Sequence, residues 1–256
     1  MISKNTIKLI KSLAHRKYRL KENLFLVEGD KIVTEVLNSE YSIEELYATE
    51  SFISAHAQEC KKLKSCNEVS ASEIKKASLL VHPQNSLALC SIKNEPMFPQ
   101  DMGDNLSLYL DDIQDPGNLG TIIRTCDWFG IEYLICSPYT VDMYNPKVIQ
   151  ASMGSFCRVN VLRSEFDKVE TLALNMNVPV FGATLDGQNI YREKLPSKAI
   201  LVMGNEGKGI HEEIENKLDK KIKIPEFSTG GNAAESLNVS VATAVICSEF
   251  KRQNFS

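Results

Sequence analysis

The sequence predicts an α/β protein whose larger part is a parallel sheet, preceded by a second, smaller α/β unit. Three observations carry this expectation. From Leu106 onward, short apolar runs alternate with stretches of helical periodicity, the pattern of strands joined by helices covering both faces of a sheet. Shorter elements alternate in the same way from the N-terminus to about residue 93. Between the two lie residues 94–104, which contain Pro96, Pro99 and Gly103 and show no periodicity, as a linker does. The expected division is therefore 1–93, a linker at 94–104, and 105–256.

Each element has its own signal. Thr6 to Lys17 has helical spacing, Phe25 to Glu28 reads as a short strand, and Lys31 to Leu37 as a helix. Leu46 to Ala48 predicts a strand, Ser51 to Leu63 and Ser72 to Leu79 predict helices, and Ser86 to Ile92 predicts a closing strand. In the second part, Leu106 to Leu110 is a strand, followed by a helix carrying Ile122, Ile123 and Cys126 and ending near Gly130. Trp128 and Phe129 read as core residues of that helix. Tyr133 to Cys136 and Val159 to Leu162 are strands, separated by a helix over Pro146 to Phe156. Phe166 to Leu174 is a helix, and Val178 to Leu185, Ala199 to Met203 and Ile222 to Ile224 are strands, the last stopped by Pro225. Leu237, Val241, Ala244, Val245 and Phe250 give a final helix, with Ser236 as its expected N-cap.

Composition excludes several classes. The 256 residues are 43% apolar and 24% charged, an ordinary globular balance. No apolar run approaches the roughly 18 residues of a membrane helix, and Met1 to Thr6 lacks a signal-peptide core. The seven cysteines form no C-x-x-C pair, so the expectation is a cytoplasmic, reducing compartment with cysteines packed as small apolar residues. The four histidines lie far apart and never pair with cysteine at zinc spacing, so no metal is expected. Gly207-Lys208 mimics a phosphate loop, but Val202 stands where that motif needs glycine. Neither a G-x-G-x-x-G after a strand nor a G-x-S-x-G elbow occurs.

The net charge of −4 gives no global nucleic-acid signal, yet its distribution does. Lys4, Lys8, Lys11, Arg16, Lys17, Arg19 and Lys21 form a block with no acid among them. Such a block attracts phosphate through counterion release, or else forms a solvated helix face. Lys11, Arg16, Lys17 and Arg19 are the expected contacts with nucleic-acid phosphates.

The most informative stretch lies at the C-terminal end. The strand Ala199 to Met203 ends in Gly204-Asn205-Glu206-Gly207-Lys208-Gly209, where glycine lets backbone approach a ligand. Ile224-Pro225 ends the next strand, and the last helix presents unpaired N–H groups at its start. Strand ends, irregular loops and a helix N-terminus thus meet at the carboxyl edge of an α/β sheet, where such folds bind ligands.

Three motifs carry a family resemblance. Asp115 to Arg124 (DPGNLGTIIR), Gly204 to Gly209 (GNEGKG), and Ile224-Pro225 with Ser236 to Ala242 (SLNVSVA) resemble, in order, the three motifs of the SpoU/TrmH RNA ribose methyltransferases of the SPOUT superfamily. They cover about residues 105–253. The segment Phe25 to Gly29 and the helix after it resemble the ribosomal-protein-like substrate-binding domain that precedes many members. One departure is the insert from Glu226 to Glu235. The resemblance implies a C-terminal trefoil knot, a homodimer, and S-adenosylmethionine held by the knot loops.

It also implies roles for residues. Arg124 is the family's catalytic arginine, though a guanidinium with a pKa above about 12 suits phosphate clamping or alkoxide stabilisation better than proton abstraction. It would act in cis or across the dimer. Asn118 and Asn238 would orient ribose and loops, or cap helices. Glu206 would accept hydrogen bonds from substrate or hold Arg124, and Ser236 would be catalytic or a cap. Thr184, Leu185, Met203, Gly204, Asn205, Gly207, Ile224, Pro225 and Leu237 would line the cofactor site. The function so implied is methylation of a ribose 2′-OH in structured RNA, ribosomal ahead of transfer RNA. The alternative is an RNA-binding or ribosome-assembly protein on the same fold.

Overall fold

A computed structural model describes residues 1–93, 105–228 and 235–254. The expected linker at 94–104 and most of the insert at 226–235 lie outside the described residues. The chain forms two compact units, Met1–Asn94 with Asp142–Cys157, and Glu95–Val141 with Arg158–Ser256.

The first unit opens with α1 (Lys4–Ser12) and α2 (Arg16–Glu22), then β1 (Leu24–Glu28) and α3 (Asp30–Leu37). It continues through β2 (Ile43–Ala48), α4 (Glu50–Ala55), α5 (Ala57–Cys60), β3 (Cys66–Glu68), α6 (Ala71–Ala77) and β4 (Ser86–Ser91). The sheet order is β1-β4-β2-β3, with β4 antiparallel to both neighbours and β2 parallel to β3. The periodicity of Thr6 to Lys17 suggests one helix, but the structure has two. The carbonyls of Leu13 and Ala14 turn to the Arg19 guanidinium, whose Nη1 donates to them at 2.8 and 3.0 Å, instead of continuing the helical ladder. Arg19 is 2% exposed and ion-paired with Asp142, so the expectation that it contacts RNA is wrong. The other three expected contacts, Lys11, Arg16 and Lys17, are exposed.

The second unit contains β5 (Leu106–Leu110), α7 (Pro116–Trp128) and β6 (Tyr133–Cys136). After β6 the chain enters α8 (Pro146–Ser152), which belongs to the first unit. The Gln150 amide donates to the Glu28 carbonyl at 2.7 Å, and the Tyr144 and Phe156 rings sit 4.7 and 6.0 Å from that of Phe25. Alternation of strands and helices does not reveal this transfer, because α8 has an ordinary amphipathic pattern. Back in the second unit come β7 (Asn160–Arg163), α9 (Phe166–Met176), β8 (Val180–Asn189), β9 (Ala199–Met203), α10 (Glu212–Glu215), β10 (Lys220–Lys223) and α11 (Val239–Asn254).

The second sheet has the order β10-β8-β9-β5-β6-β7, and every pairing is parallel. All six strands therefore end on one edge. One face packs Tyr109, Ile135, Leu162, Val180, Ile200 and Val202 against Phe166, Val169 and Ala173 of α9. Strand β8 runs longer than its apolar run suggests, because the ladder slips. Lys221 pairs with Gly182 but Ile222 pairs with Gln188, and β9 follows β8 only to Gly182, so residues 183–187 stand outside both ladders. Gly187 permits the slip, since a Cβ there would lie 2.6 Å from Ile222 backbone atoms. Trp128 corrects the sequence reading in the opposite sense to Arg19. It is 85% exposed, at the outer end of α7, and is no core residue.

Candidate functional site

The first motif begins where β5 ends. Asp112 adopts the left-handed region (φ 58°), turning the chain towards α7. Asp115 caps that helix, its Oδ1 accepting from the Asn118 N–H at 2.9 Å, and Pro116 fills the first turn, where its missing donor costs nothing. This cap aims the Asn118 side chain out of the first turn.

The second motif leaves β9 as a tight hairpin. Asn205 and Gly209 exchange both backbone hydrogen bonds at 2.9 Å, and the Asn205 Oδ1 accepts from the N–H groups of Gly207 and Lys208. Asn205 Nδ2 donates to the Asp112 carbonyl at 2.7 Å, tying this loop to the first. Gly204 has no room for a side chain, because its Cβ would lie 2.3 Å from the Gly209 carbonyl carbon. Asn205 is thus a loop-forming residue whose side-chain groups are occupied. Just beyond, buried Asp111 accepts from the His211 N–H at 2.8 Å and pairs with the His211 Nδ1 at 2.9 Å. That hydrogen bond, followed by the carboxylate's charge, raises the His211 pKa.

In the third motif, Asn238 caps α11. Its Oδ1 accepts from the Ser240 N–H at 2.9 Å and from the Ser240 hydroxyl at 2.6 Å. Ser236 does not open the helix. It is exposed and forms no hydrogen bond among the described residues, two residues ahead of the actual cap. The helix starts at Val239, so the capping position falls on Asn238 and Ser236 stands too early in the chain to fill it.

The three motifs meet through side chains. Asn238 Nδ2 donates to Asn118 Oδ1 at 3.0 Å, and Asn118 Nδ2 donates to Glu206 Oε1 at 2.8 Å. Three residues separated by up to 120 positions form one hydrogen-bonded chain. Arg124 does not join it. Six residues along a helix with 3.6 per turn place it about 120° around α7 from Asn118. It is exposed and has no hydrogen bond or ion pair among the described residues. Trp128, one turn further, shares its face.

The other expected residues lie on loops and strand ends of the same carboxyl edge. Thr184 and Leu185 fall in the stretch outside the ladders. The Thr184 Oγ1 is shielded from solvent and has no hydrogen-bond partner among the described residues, although its nearness to Asp186 holds that carboxyl below its usual range. Leu185 is 74% exposed and Leu237 half exposed, so both offer apolar surface. Met203 is buried, with its carbonyl accepting from the Asp111 N–H at 2.9 Å. Gly207 is exposed on the hairpin, and Ile224 and Pro225 follow β10. Sequence reasoning missed Asp111 with His211, and Ser240. The first pair spans 100 positions and carries no local signal, whereas Asn238-Val239-Ser240 holds a readable capping pattern.

Known proteins resemble this chain over most of its length. Residues 105–248 match the model of the SpoU rRNA Methylase family, and residues 4–88 match that of the MRM3-like substrate binding domain. The 23S rRNA (guanosine(2553)-2′-O)-methyltransferase RlmP of Bacillus subtilis is 30% identical over 92% of each chain. The 23S rRNA (guanosine-2′-O-)-methyltransferase RlmB of Neisseria meningitidis is 29% identical over 83% of this chain and 88% of its own. Among solved structures, a TrmH-family protein from Porphyromonas gingivalis superposes with a TM-score of 0.86 at 38% identity over 99% of both chains. An AdoMet-bound rRNA methyltransferase from Sinorhizobium meliloti does so with a TM-score of 0.86 at 26% identity, over 100% of this chain and 98% of its own.

Proposed function

The chain belongs to the SpoU rRNA methylase family, and from that premise we propose that it methylates a ribose 2′-OH of ribosomal RNA, with S-adenosylmethionine as methyl donor. The observation that carries this reading is the Asn238–Asn118–Glu206 chain, in which one polar side chain from each motif loop meets at the carboxyl edge of a parallel sheet. The relatives named as 23S rRNA 2′-O-methyltransferases support ribosomal RNA as the substrate class.

The residues present fit the cofactor. The shielded Thr184 hydroxyl offers a hydrogen-bonding group, Leu185 and Leu237 offer apolar cover, Gly204, Ile224 and Pro225 offer backbone groups, and Asn205 and Gly207 shape the hairpin that follows Met203. Bound S-adenosylmethionine supplies an electrophilic methyl carbon. The protein must then align a ribose hydroxyl with that carbon and dispose of its proton. Glu206 has one oxygen taken by Asn118 and a second that accepts no hydrogen bond among the described residues, which suits it to receive from a ribose hydroxyl. Asn118, backed by Asn238, holds Glu206, and Ser236, exposed two residues before Asn238, is available to substrate. Arg124 clamps a phosphate and stabilises the developing alkoxide.

Arg124 reaches the site from a second copy of the chain. Its divergence from Asn118 and the exposed Trp128 on the same face support a homodimer formed around α7. The knot implied by the resemblance is part of the same proposal, as is a cytoplasmic location. No helix among the described residues is long and apolar enough to cross a membrane. Lys11, Arg16 and Lys17 contact RNA phosphates without reading sequence.

The deciding experiment is tritium transfer from labelled S-adenosylmethionine to purified ribosomal and transfer RNA, with mapping of 2′-O-methyl positions. Label on a ribose of ribosomal RNA is expected. Label on transfer RNA alone would replace the substrate, and none on either RNA would return the chain to a binding protein.

A further inference from the structure

Ser240 touches neither Asn118 nor Glu206, is 7% exposed, and stands outside the residues so far given a role at the site. The chemistry of its contacts nevertheless reaches both. An asparagine amide can face either way, and donors alone decide which. The Ser240 backbone N–H is a donor only, 2.9 Å from the Asn238 amide, so the atom facing it must be Oδ1. The Ser240 hydroxyl adds a second donor to the same oxygen at 2.6 Å. Asn238 must then turn its Nδ2 outward, and Asn118 must answer with Oδ1. Only Nδ2 of Asn118 remains for Glu206, which receives it as an acceptor. Reversing any one amide would set donor against donor or acceptor against acceptor at its contacts and forfeit those hydrogen bonds.

We infer that Ser240 is a positioning residue for methyl transfer: with its N–H and hydroxyl both on Asn238 Oδ1, it sets the direction of the Asn238–Asn118–Glu206 chain and so the orientation of Glu206. The orientation of three loops is dictated from one place, the first turn of α11. Asn238 held only by a backbone N–H keeps the correct direction but rocks about that single bond, and Glu206 rocks with it. This inference rests on the proposed reading of the site.

The test uses the full-length chain with Ser240→Ala, which deletes the hydroxyl and keeps the N–H, and Ser240→Thr, which restores a hydroxyl. Methyl transfer to ribosomal RNA is followed with both substrates varied. Loss of one neutral hydrogen bond is worth about a five- to tenfold fall in kcat. KM for RNA and cofactor should stay within about twofold in Ser240→Ala, and Ser240→Thr should recover most of the rate, as a single bond's geometry rather than binding is at stake. A merely structural serine would lower thermal stability without this split between kcat and KM, and that result would overturn the inference. So would a Ser240→Ala enzyme as fast as wild type.

A second measurement needs no substrate. Thermal melting of Ser240→Ala, Asn118→Ala and the double variant should show a combined shift smaller than the sum, although the two side chains do not touch. Additive shifts would sink the coupling whatever the activity shows. Full activity in Asn118→Ala and Glu206→Ala would instead remove the proposed site, leaving the melting result to judge Ser240.

Discussion

Arg19 grips Asp142 with two nitrogens, Nε at 3.0 Å and Nη2 at 2.5 Å from the same carboxylate oxygen, across 123 positions of sequence. With Nη1 on two carbonyls, nearly the whole guanidinium is used inside the first unit. One of the four basic residues expected to contact RNA thus holds the α1–α2 elbow to the segment Asp142–Cys157.

Removing one partner strands the other. Arg19→Ala should lower stability by about 3 to 5 kcal/mol, the cost of leaving a largely buried charge unpaired. Urea unfolding measures it, and a loss below about 1 kcal/mol would mean that the pair behaves like an exposed one.

The exposed basic residues should behave differently. Changing Lys11, Arg16 and Lys17 together to Ala should leave the melting temperature and cofactor affinity unchanged. It should weaken RNA binding and flatten its dependence on salt, since each lost phosphate contact reduces the slope by about 0.7 to 0.9. Binding curves over a salt series decide this, and an unaltered slope would make these residues a solvated face.

Arg124→Ala should abolish methyl transfer with cofactor affinity within a few-fold of wild type by calorimetry. Arg124→Lys should also fail, because a point charge cannot replace a planar fork. If Arg124 serves the partner's site, mixing inactive Arg124→Ala with inactive Glu206→Ala should restore about a quarter of the activity, since half of the random dimers carry one complete site. Mixtures that stay inactive would place Arg124 and Glu206 of one chain in one site.

Trp128→Glu should convert the proposed dimer to monomers in light scattering, by placing a charge where that dimer would cover apolar surface. The full chain is the right material for this. Deleting residues 1–93 would also strip the partners of Val148, Ile149 and Phe156, which are buried in the first unit. A dimer that survives Trp128→Glu would move the interface elsewhere.

The His211–Asp111 pair predicts a pH effect. Asp111 raises the His211 pKa above its ordinary 6.5. The pair therefore adds stability that is fully present below about pH 6.5 and fades as pH rises through the folded-state value. His211→Gln should cost stability at pH 6 and little at pH 9. Because His211 is 47% exposed, solvent screening keeps the effect under about 1 kcal/mol. Melting curves across that range check the sign, and a deficit that grows with pH would contradict it.

Much of this protein is written locally. The strands Leu106–Leu110, Tyr133–Cys136 and Ala199–Met203 form where short, mostly apolar runs predict them, because each is almost wholly buried and needs no polar alternation. The residues Asn118, Glu206 and Asn238 could be picked from the motifs' resemblance to the SpoU/TrmH family, and the backbone turns that present them depend on nearby glycine, proline and capping side chains. What tertiary structure decided was which polar group meets which. Arg19 and Arg16 look alike in sequence, and only a carboxylate folded back from position 142 separates a buried strut from a surface charge. Trp128 has a core residue's chemistry and a surface residue's place, because the helix face it occupies has no neighbour within its own unit. Periodicity records which residues avoid water, but the partner that satisfies a given donor is a matter of distance in space. That distance was set by the crossing of loops and strands over a hundred or more residues.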